Sequence, residues 1–561
     1  MSQPITSVVS VSSVLSKKKD EQLKKGHLVS IEQVTDDDLD LEEKAEVVRG
    51  LKSRHIQLIA LGGAIGTGLF IGSGSALSVC GPAPLLMSYM IISFCVWLVM
   101  SQLGEMVIFI PISGNASAYA LTKKYLNAPL SFTAGWNLFY AQAMIPASEV
   151  TACALIIEYW TDANSAIWIS IFGISTIALN FLPVKYYGES EFCVAIIKIL
   201  CIIGLIILGV VIFFGGGPNQ HGVLGFHYWK NPGAFVFYLV PGNTGRFLAT
   251  WTAIVKGGFA FVLTPEILAS CAAEAENPRR SMPKAFRRVV YRLLFFYVVG
   301  VLVIGVIVAS NNPRLMSAIA AGESNAAASP FVIGISEVGI KVLPHIVNAC
   351  FLTSAYSAGT SQLYAASRTL HSMAIMGDAP KFFGRLNRWG VPYYSVGLGS
   401  CFIFLAYLNC SNTSSMVFTW LSNIVSISGF LSWMFIGICY LRFRKIIDYL
   451  DLNDRVPYRV PLMRYGAYFT TGFFAILSLT NGFYVFFPQN WSTSNFFAAY
   501  VTLLFVAVLF AGSTIYYRQW RLIPPENIEF MDLLERVEEE ENDAVVYEPK
   551  TILEKIWWYA F

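Results

Sequence analysis

Four ionisable residues, Glu105, Glu149, Lys198 and Glu266, stand inside stretches that are otherwise almost wholly apolar. A charge in hydrocarbon is costly, so it is kept where it binds a charged solute, carries a proton or holds another buried group. Bond-making chemistry has little support. The ten cysteines show no C-x-x-C or Cys/His spacing, so no metal site is expected. No nucleophile motif and no phosphate loop stands beside these charges. The residue types point to moving a small charged molecule rather than transforming it. No enzyme activity, cofactor or nucleic-acid partner is expected.

The elements that must position these charges are membrane spans. The chain is 55% hydrophobic and 13% charged, about half the ~25% charge typical of soluble domains. Its mean hydropathy is +0.56. Apolar blocks of about 20 residues, long enough to cross ~30 Å of hydrocarbon, recur along it. Twelve spans are predicted: 56–79, 84–109, 130–160, 166–187, 191–214, 248–272, 289–309, 343–372, 392–409, 417–441, 467–487 and 496–517. Residues 1–50, with KKKDEQLKK and DDDLDLEE, read as a disordered tail. Residues 521–561, with ERVEEEENDAVVYE and a terminal IWWYAF, read as a solvated acidic tail ending in an amphipathic helix on the membrane. Lys and Arg crowd alternate loops, leaving Lys230, Arg246, Arg314 and Lys341 on the other side. The positive-inside rule then places both termini in the cytoplasm.

Two spans carry breaker residues. The first holds GGAIGTGLFIGSG, residues 62–74, although each interior Gly costs a helix about 1 kcal/mol. The sixth holds KGGFAFVLTPEIL, residues 256–268, with Gly257, Gly258, Pro265 and Glu266. Unpaired backbone is tolerated at membrane depth where it lines a cavity or meets a ligand. Breaks five spans apart point to two inverted repeats of five spans, about 56–214 and 248–441, with the last two spans added. Unwinding at residues 62–68 would present N–H groups to a carboxylate. Unwound carbonyls in the sixth span would accept hydrogen bonds from an ammonium, so an α-amino acid fits both ends. The competing reading of the first break is close helix packing through small residues.

Four motifs carry a family resemblance. GLKSRHIQLIALGGAIGTGLFIGSG (50–74), LGEM (103–106), YGESEF (187–192) with IKI (197–199), and EAENPRRSMPKA (274–285) resemble the fungal amino-acid permeases. These belong to the amino acid–polyamine–organocation superfamily of LeuT-like transporters. The resemblance covers about 50–520 and implies an all-α integral membrane fold with helices 1 and 6 broken. VKYYGESEF, SPFVIGI, GIKVLPHI and WLSNIVSISGF look most like the proline permease branch. The implied activity is proton-coupled plasma-membrane uptake of proline, other small neutral amino acids or γ-aminobutyrate. A broad-specificity permease and a non-transporting amino-acid sensor are the alternatives.

The resemblance also implies roles for residues. Gly66, Thr67 and Gly68 match the turn that binds the substrate carboxylate. Glu149, Lys256, Phe259 and Phe261 are implied pocket residues, and Glu266 the acid on the amine side. Thr264 stands where the family often has Gly two residues before that acid. Lys198, at mid-depth in the fifth span, stands where sodium-coupled relatives hold an ion. It is expected either to exchange a proton or to pin spans 1 and 8 as a permanent cation. Glu105 is expected in an inner pairing or a proton exit. Glu274, Glu276, Arg279 and Arg280 form a cytoplasmic loop suited to an inner gate or to lipid phosphate. The tail lysines at 17–19 and 24–25 are, by family analogy, acceptors for ubiquitin ligase machinery.

Overall fold

The computed structural model of the chain describes residues 66–111, 117–161, 163–273, 278–320, 329–410, 414–527 and 531–543. The expected tail at 1–50, the first half of the glycine run, Glu274, Glu276, the Arg280 side chain and residues 544–561 lie outside the described residues. Every regular element described is helical. Nine helices among the described residues are long and apolar enough to cross a membrane.

The first span enters at Gly66, forms a π-helical turn over Gly68–Gly72 and continues as α1, Ser73–Cys80. Gly81 then reverses the chain at φ +85°, where an added Cβ would lie 2.7 Å from the Ala234 carbonyl oxygen. Only glycine fits that turn. Pro82, pre-set for a first helical turn, opens α2, Pro82–Phe109. A short helix, α3 (Ser117–Tyr125), leads to α4, Ala128–Ile157. Asn127 caps α4 by accepting a hydrogen bond from the Leu130 N–H at 3.3 Å. The fourth and fifth spans are α5 (Ser165–Phe181) and α6 (Val184–Phe213).

The sixth span is broken where its residues predict. Helix α7, Gly242–Phe259, ends after the Gly257–Gly258 pair, and α8, Thr264–Ala273, begins with the Thr-Pro-Glu start. Between them the chain makes turns over 260–263, with Leu263 at φ +59°. Then come α9 (Pro278–Ile307), α10 (Pro313–Ala320), α11 (Pro330–Glu337) and α12 (Leu343–Ile375). Helices α10 and α11 fall in what hydropathy reads as a loop. The ninth span, the shortest of the predicted ones, is half α-helix (α13, Tyr393–Cys401) and half 3-10 helix, Phe402–Cys410. Helices α14 (Ser414–Tyr449), α15 (Met463–Thr480) and α16 (Thr493–Tyr517) complete the membrane part.

Helix α4 packs extensively against α12 and α14. Polar pairs fix its register: Asn137 Nδ2 donates to the Ser428 carbonyl at 2.9 Å, and Ser428 Oγ donates back to Asn137 Oδ1 at 2.8 Å. Buried side-chain amides are well spent this way, since an unpaired one costs about 1–3 kcal/mol.

Part of the acidic C-terminal stretch, expected as solvated tail, instead folds back as α17, Met531–Asp543. Leu534 and Val537 are buried on one side of it. On the same face, Arg455 grips Glu538 with two nitrogens, Nε donating to Oε1 at 3.0 Å. Arg279 reaches Glu541 at 3.1 Å and caps the end of α2 by donating to the Phe109 carbonyl at 2.9 Å. The fork of Arg455 holds the Glu538 carboxyl below its ordinary 4.5. Because the docked form binds that proton less tightly than the undocked one, the linkage favours docking above about pH 4.5 and fades as pH falls through the lower, docked value. Hydrogen exchange of residues 531–543 should therefore accelerate in acid, and Glu538→Gln should give the acid rate at neutral pH. Unchanged protection in the variant would show that the apolar contacts alone hold the helix.

Candidate functional site

The two breaks meet. A Cβ on Gly68 would stand 2.5 Å from Ala260 Cα and 2.9 Å from Ala260 Cβ, so the first-span turn lies directly on the sixth-span turn. Both turns release carbonyls that need donors. Tyr89 Oη on α2 lies 3.4 Å from the Gly68 oxygen, and Tyr297 Oη on α9 donates to the Ala260 oxygen at 2.7 Å. Ser329, just before α11, donates to the Phe70 oxygen at 2.8 Å. The rings continue the support, with Phe70 stacked on Phe351 at 4.2 Å.

Phe261 belongs to this support. It is fully buried and stacks on Tyr297 at 4.2 Å, with Tyr89 at 5.9 Å. Its ring faces α2 and α9. Phe259 turns the other way, edge-on to Phe418 at 5.8 Å, and is only partly buried. Lys256 shares a helical face with the buried Ala249, Thr252 and Ala253, yet its side chain is exposed. A residue exposed on an interior-facing stripe lines a cavity rather than the lipid surface. Its Nζ lies 3.4 Å from Ser75 Oγ on α1.

Beside the first-span turn runs a chain of buried polar groups. Thr67 Oγ1 donates to Glu149 Oε1 at 2.9 Å, while Glu149 Oε2 has no hydrogen-bond partner among the described residues. An added Cβ on Gly66 would lie 3.5 Å from the same Oε1, so the carboxyl sits against the turn. Lys198 is 1% exposed, donates to Ser357 Oγ on α12 at 3.0 Å and lies 4.0 Å from Glu191 Oε1. Ser357 Oγ in turn donates to Glu191 Oε2 at 2.5 Å. One hydroxyl thus joins a cation and an acid, an arrangement through which a proton can pass. Ser357 lies on α12, the eighth of the predicted spans. The acidic partner of Lys198, Glu191, was missed, although it lies in YGESEF, seven residues or two helical turns before Lys198 and so on the same face.

Glu266 is 1% exposed in the first turn of α8, next to the Trp433 indole. Neither of its oxygens has a hydrogen-bond partner among the described residues. Glu266→Gln keeps the volume and removes the charge, and uptake is expected to fall on the order of tenfold, the size of a 1.4 kcal/mol loss. Wild-type kinetics in that variant would reduce Glu266 to packing.

Glu105 sits away from these groups, near the C-terminal end of α2. It accepts from Tyr440 Oη at 2.6 Å and from the Val460 N–H at 2.7 Å. Of the predicted gate residues, Arg279 is the one whose side chain is described, and it pairs with α17.

Paired helix breaks packed face to face within a multi-span bundle, with buried charges alongside, define a multi-pass membrane transporter. The family model described as "Amino acid permease" matches residues 55–523, and the chain belongs to that family. It is 47% identical over 523 residues to a proline-specific permease of Emericella nidulans, covering 93% of this chain and 95% of that protein. It is 48% identical over 521 residues to a proline-specific permease of Saccharomyces cerevisiae, covering 90% and 83%. Among solved structures it resembles a manganese transporter of Eremococcus coleocola in fold, with a TM-score of 0.52, 12% identity and coverage of 92% and 97%.

Proposed function

We propose that this chain is a proton-coupled symporter that imports proline across the plasma membrane, with both termini in the cytoplasm. The observation that carries the reading is the contact of Gly68 with Ala260, which sets two opened backbone segments against each other beside a buried acid and a buried lysine. The substrate carboxylate meets the N–H groups of the Gly66–Gly68 turn. The secondary ammonium of proline meets the opened carbonyls of 260–263, with Glu266 and the unpartnered oxygen of Glu149 as counter-charges. Lys256 and Phe259 line the approach. Lys198, Ser357 and Glu191 carry the proton. Proline is the favoured substrate because two relatives at 47% and 48% identity bear that specificity in their names. Turnover through ubiquitin on the tail lysines belongs to the same proposal.

The test is labelled-proline uptake in yeast lacking its own permeases, with a competition panel and a protonophore. Uptake that is abolished by protonophore and competed mainly by proline is the expected result. Equal competition by many amino acids would replace proline with a broad specificity, and surface-expressed protein with no uptake would overturn transport.

A further inference from the structure

A second site lies on the membrane-facing flank, apart from the helix breaks. Helices α2 and α9 and the linker before α15 enclose a cavity of about 250 Å³, and its lining includes Trp97, Arg287, Tyr291, Tyr458 and Arg459. Its charge is concentrated in the two arginines. Arg287 has no ion pair among the described residues, and Arg459 has a 4.0 Å contact with Asp454, which is fully exposed and so holds it weakly. The buried acid Glu105 is hydrogen-bonded to Tyr440 and to the Val460 N–H, and it also attracts Arg459 electrostatically. That second bond fixes the linker that carries Arg459, so the acid shapes one wall without occupying the cavity.

The cavity continues into an apolar track. Met87, Met90 and Phe94 are exposed on α2 at the spacing that leads up one helical face from Trp97. Tyr291 is 64% exposed and Phe295, one turn further along α9, is 55% exposed. In a membrane protein this is surface for acyl chains. Arginines flanked by Trp and Tyr at its foot match the headgroup level of the leaflet toward which the basic loops face.

We infer that this cavity binds an acidic glycerophospholipid, with Arg287 and Arg459 on the headgroup phosphate and an acyl chain lying along Phe94 and Phe295. Guanidinium suits this task, because its planar donors match phosphate oxygens. The lipid would tie α2, α9 and the 458–461 linker together on the side opposite the substrate path.

The test uses the full chain purified in mild detergent and examined by native mass spectrometry and thermal unfolding. Wild-type protein should retain acidic phospholipid, and added phosphatidylserine should raise its unfolding temperature, whereas phosphatidylcholine and inorganic phosphate should not. In R287Q/R459Q, retention should weaken roughly tenfold or more, given about 1 kcal/mol for each basic group near an anionic surface. R459Q alone changes an exposed linker residue and gives the same direction if the double variant does not fold. K381Q/R385Q, which removes two basic charges from another loop, should retain lipid as wild type does. Equal retention by wild type and R459Q, equal loss in K381Q/R385Q, or stabilisation by inorganic phosphate alone would each overturn the site.

Discussion

Lys198→Ala is expected to reach the cell surface and still exchange proline down its gradient, yet to lose accumulation against one. The lysine is buried and joined through Ser357 to Glu191. Removing one member of such a group costs about 3–5 kcal/mol, because the other is left as an uncompensated buried charge. Concentrative uptake should therefore fall on the order of a hundredfold or more. Loss of fold and loss of coupling are separated by the double variant Lys198→Ala/Glu191→Gln. Taking away both charges should restore thermal stability without restoring protonophore-sensitive accumulation. If accumulation returns with stability, Lys198 is a structural cation and the proton travels elsewhere.

The second large effect separates two neighbouring glycines. Gly68→Ala places a methyl group 2.5 Å from the Ala260 backbone, and the two broken spans must part to admit it. Overpacking of this kind costs about 1–3 kcal/mol even where some relaxation is possible. Gly68→Ala is expected to lose surface expression and uptake together. Gly66→Ala meets atoms no closer than 3.5 Å, an ordinary contact. It should fold and traffic normally while the added methyl obstructs the carboxylate turn, raising KM on the order of tenfold with little change in expression. If Gly66→Ala transports with wild-type KM, the substrate carboxylate does not use this turn. Gly68→Ala with normal expression would show that the breaks are not held in the packed arrangement.

Much of the architecture was legible because hydropathy acts locally. A span announces itself over 20 consecutive residues, and a break announces itself by Gly and Pro inside one. The sixth-span interruption accordingly falls within the quoted KGGFAFVLTPEIL, and Lys198 was conspicuous as a charge in an apolar run. What escaped were residues whose work depends on distant partners. Tyr89, Tyr297 and Ser329 are ordinary members of their segments. Nothing local shows that their hydroxyls serve carbonyls on other spans. The stacking of Phe261 was hidden for the same reason, since its neighbours in sequence belong to the break while its ring packs on α2 and α9. The docking of α17 was hidden because an acidic run reads as solvated until its arginine partners, far away in the chain, are brought to it.

The tyrosine hydroxyls have a mechanical consequence. Since Tyr89 and Tyr297 serve the opened turns, the first and sixth spans are clamped to α2 and α9 by bonds and stacked rings. Motion of the broken spans must carry those two helices along, as a single jaw. Lys198, Glu191, Ser357 and Glu149 stand on α4, α6 and α12, the opposing jaw. The hydrogen bond from Thr67 to Glu149 crosses between the two, as does the stacking of Phe70 on Phe351. Any stroke that slides one jaw over the other must break both contacts.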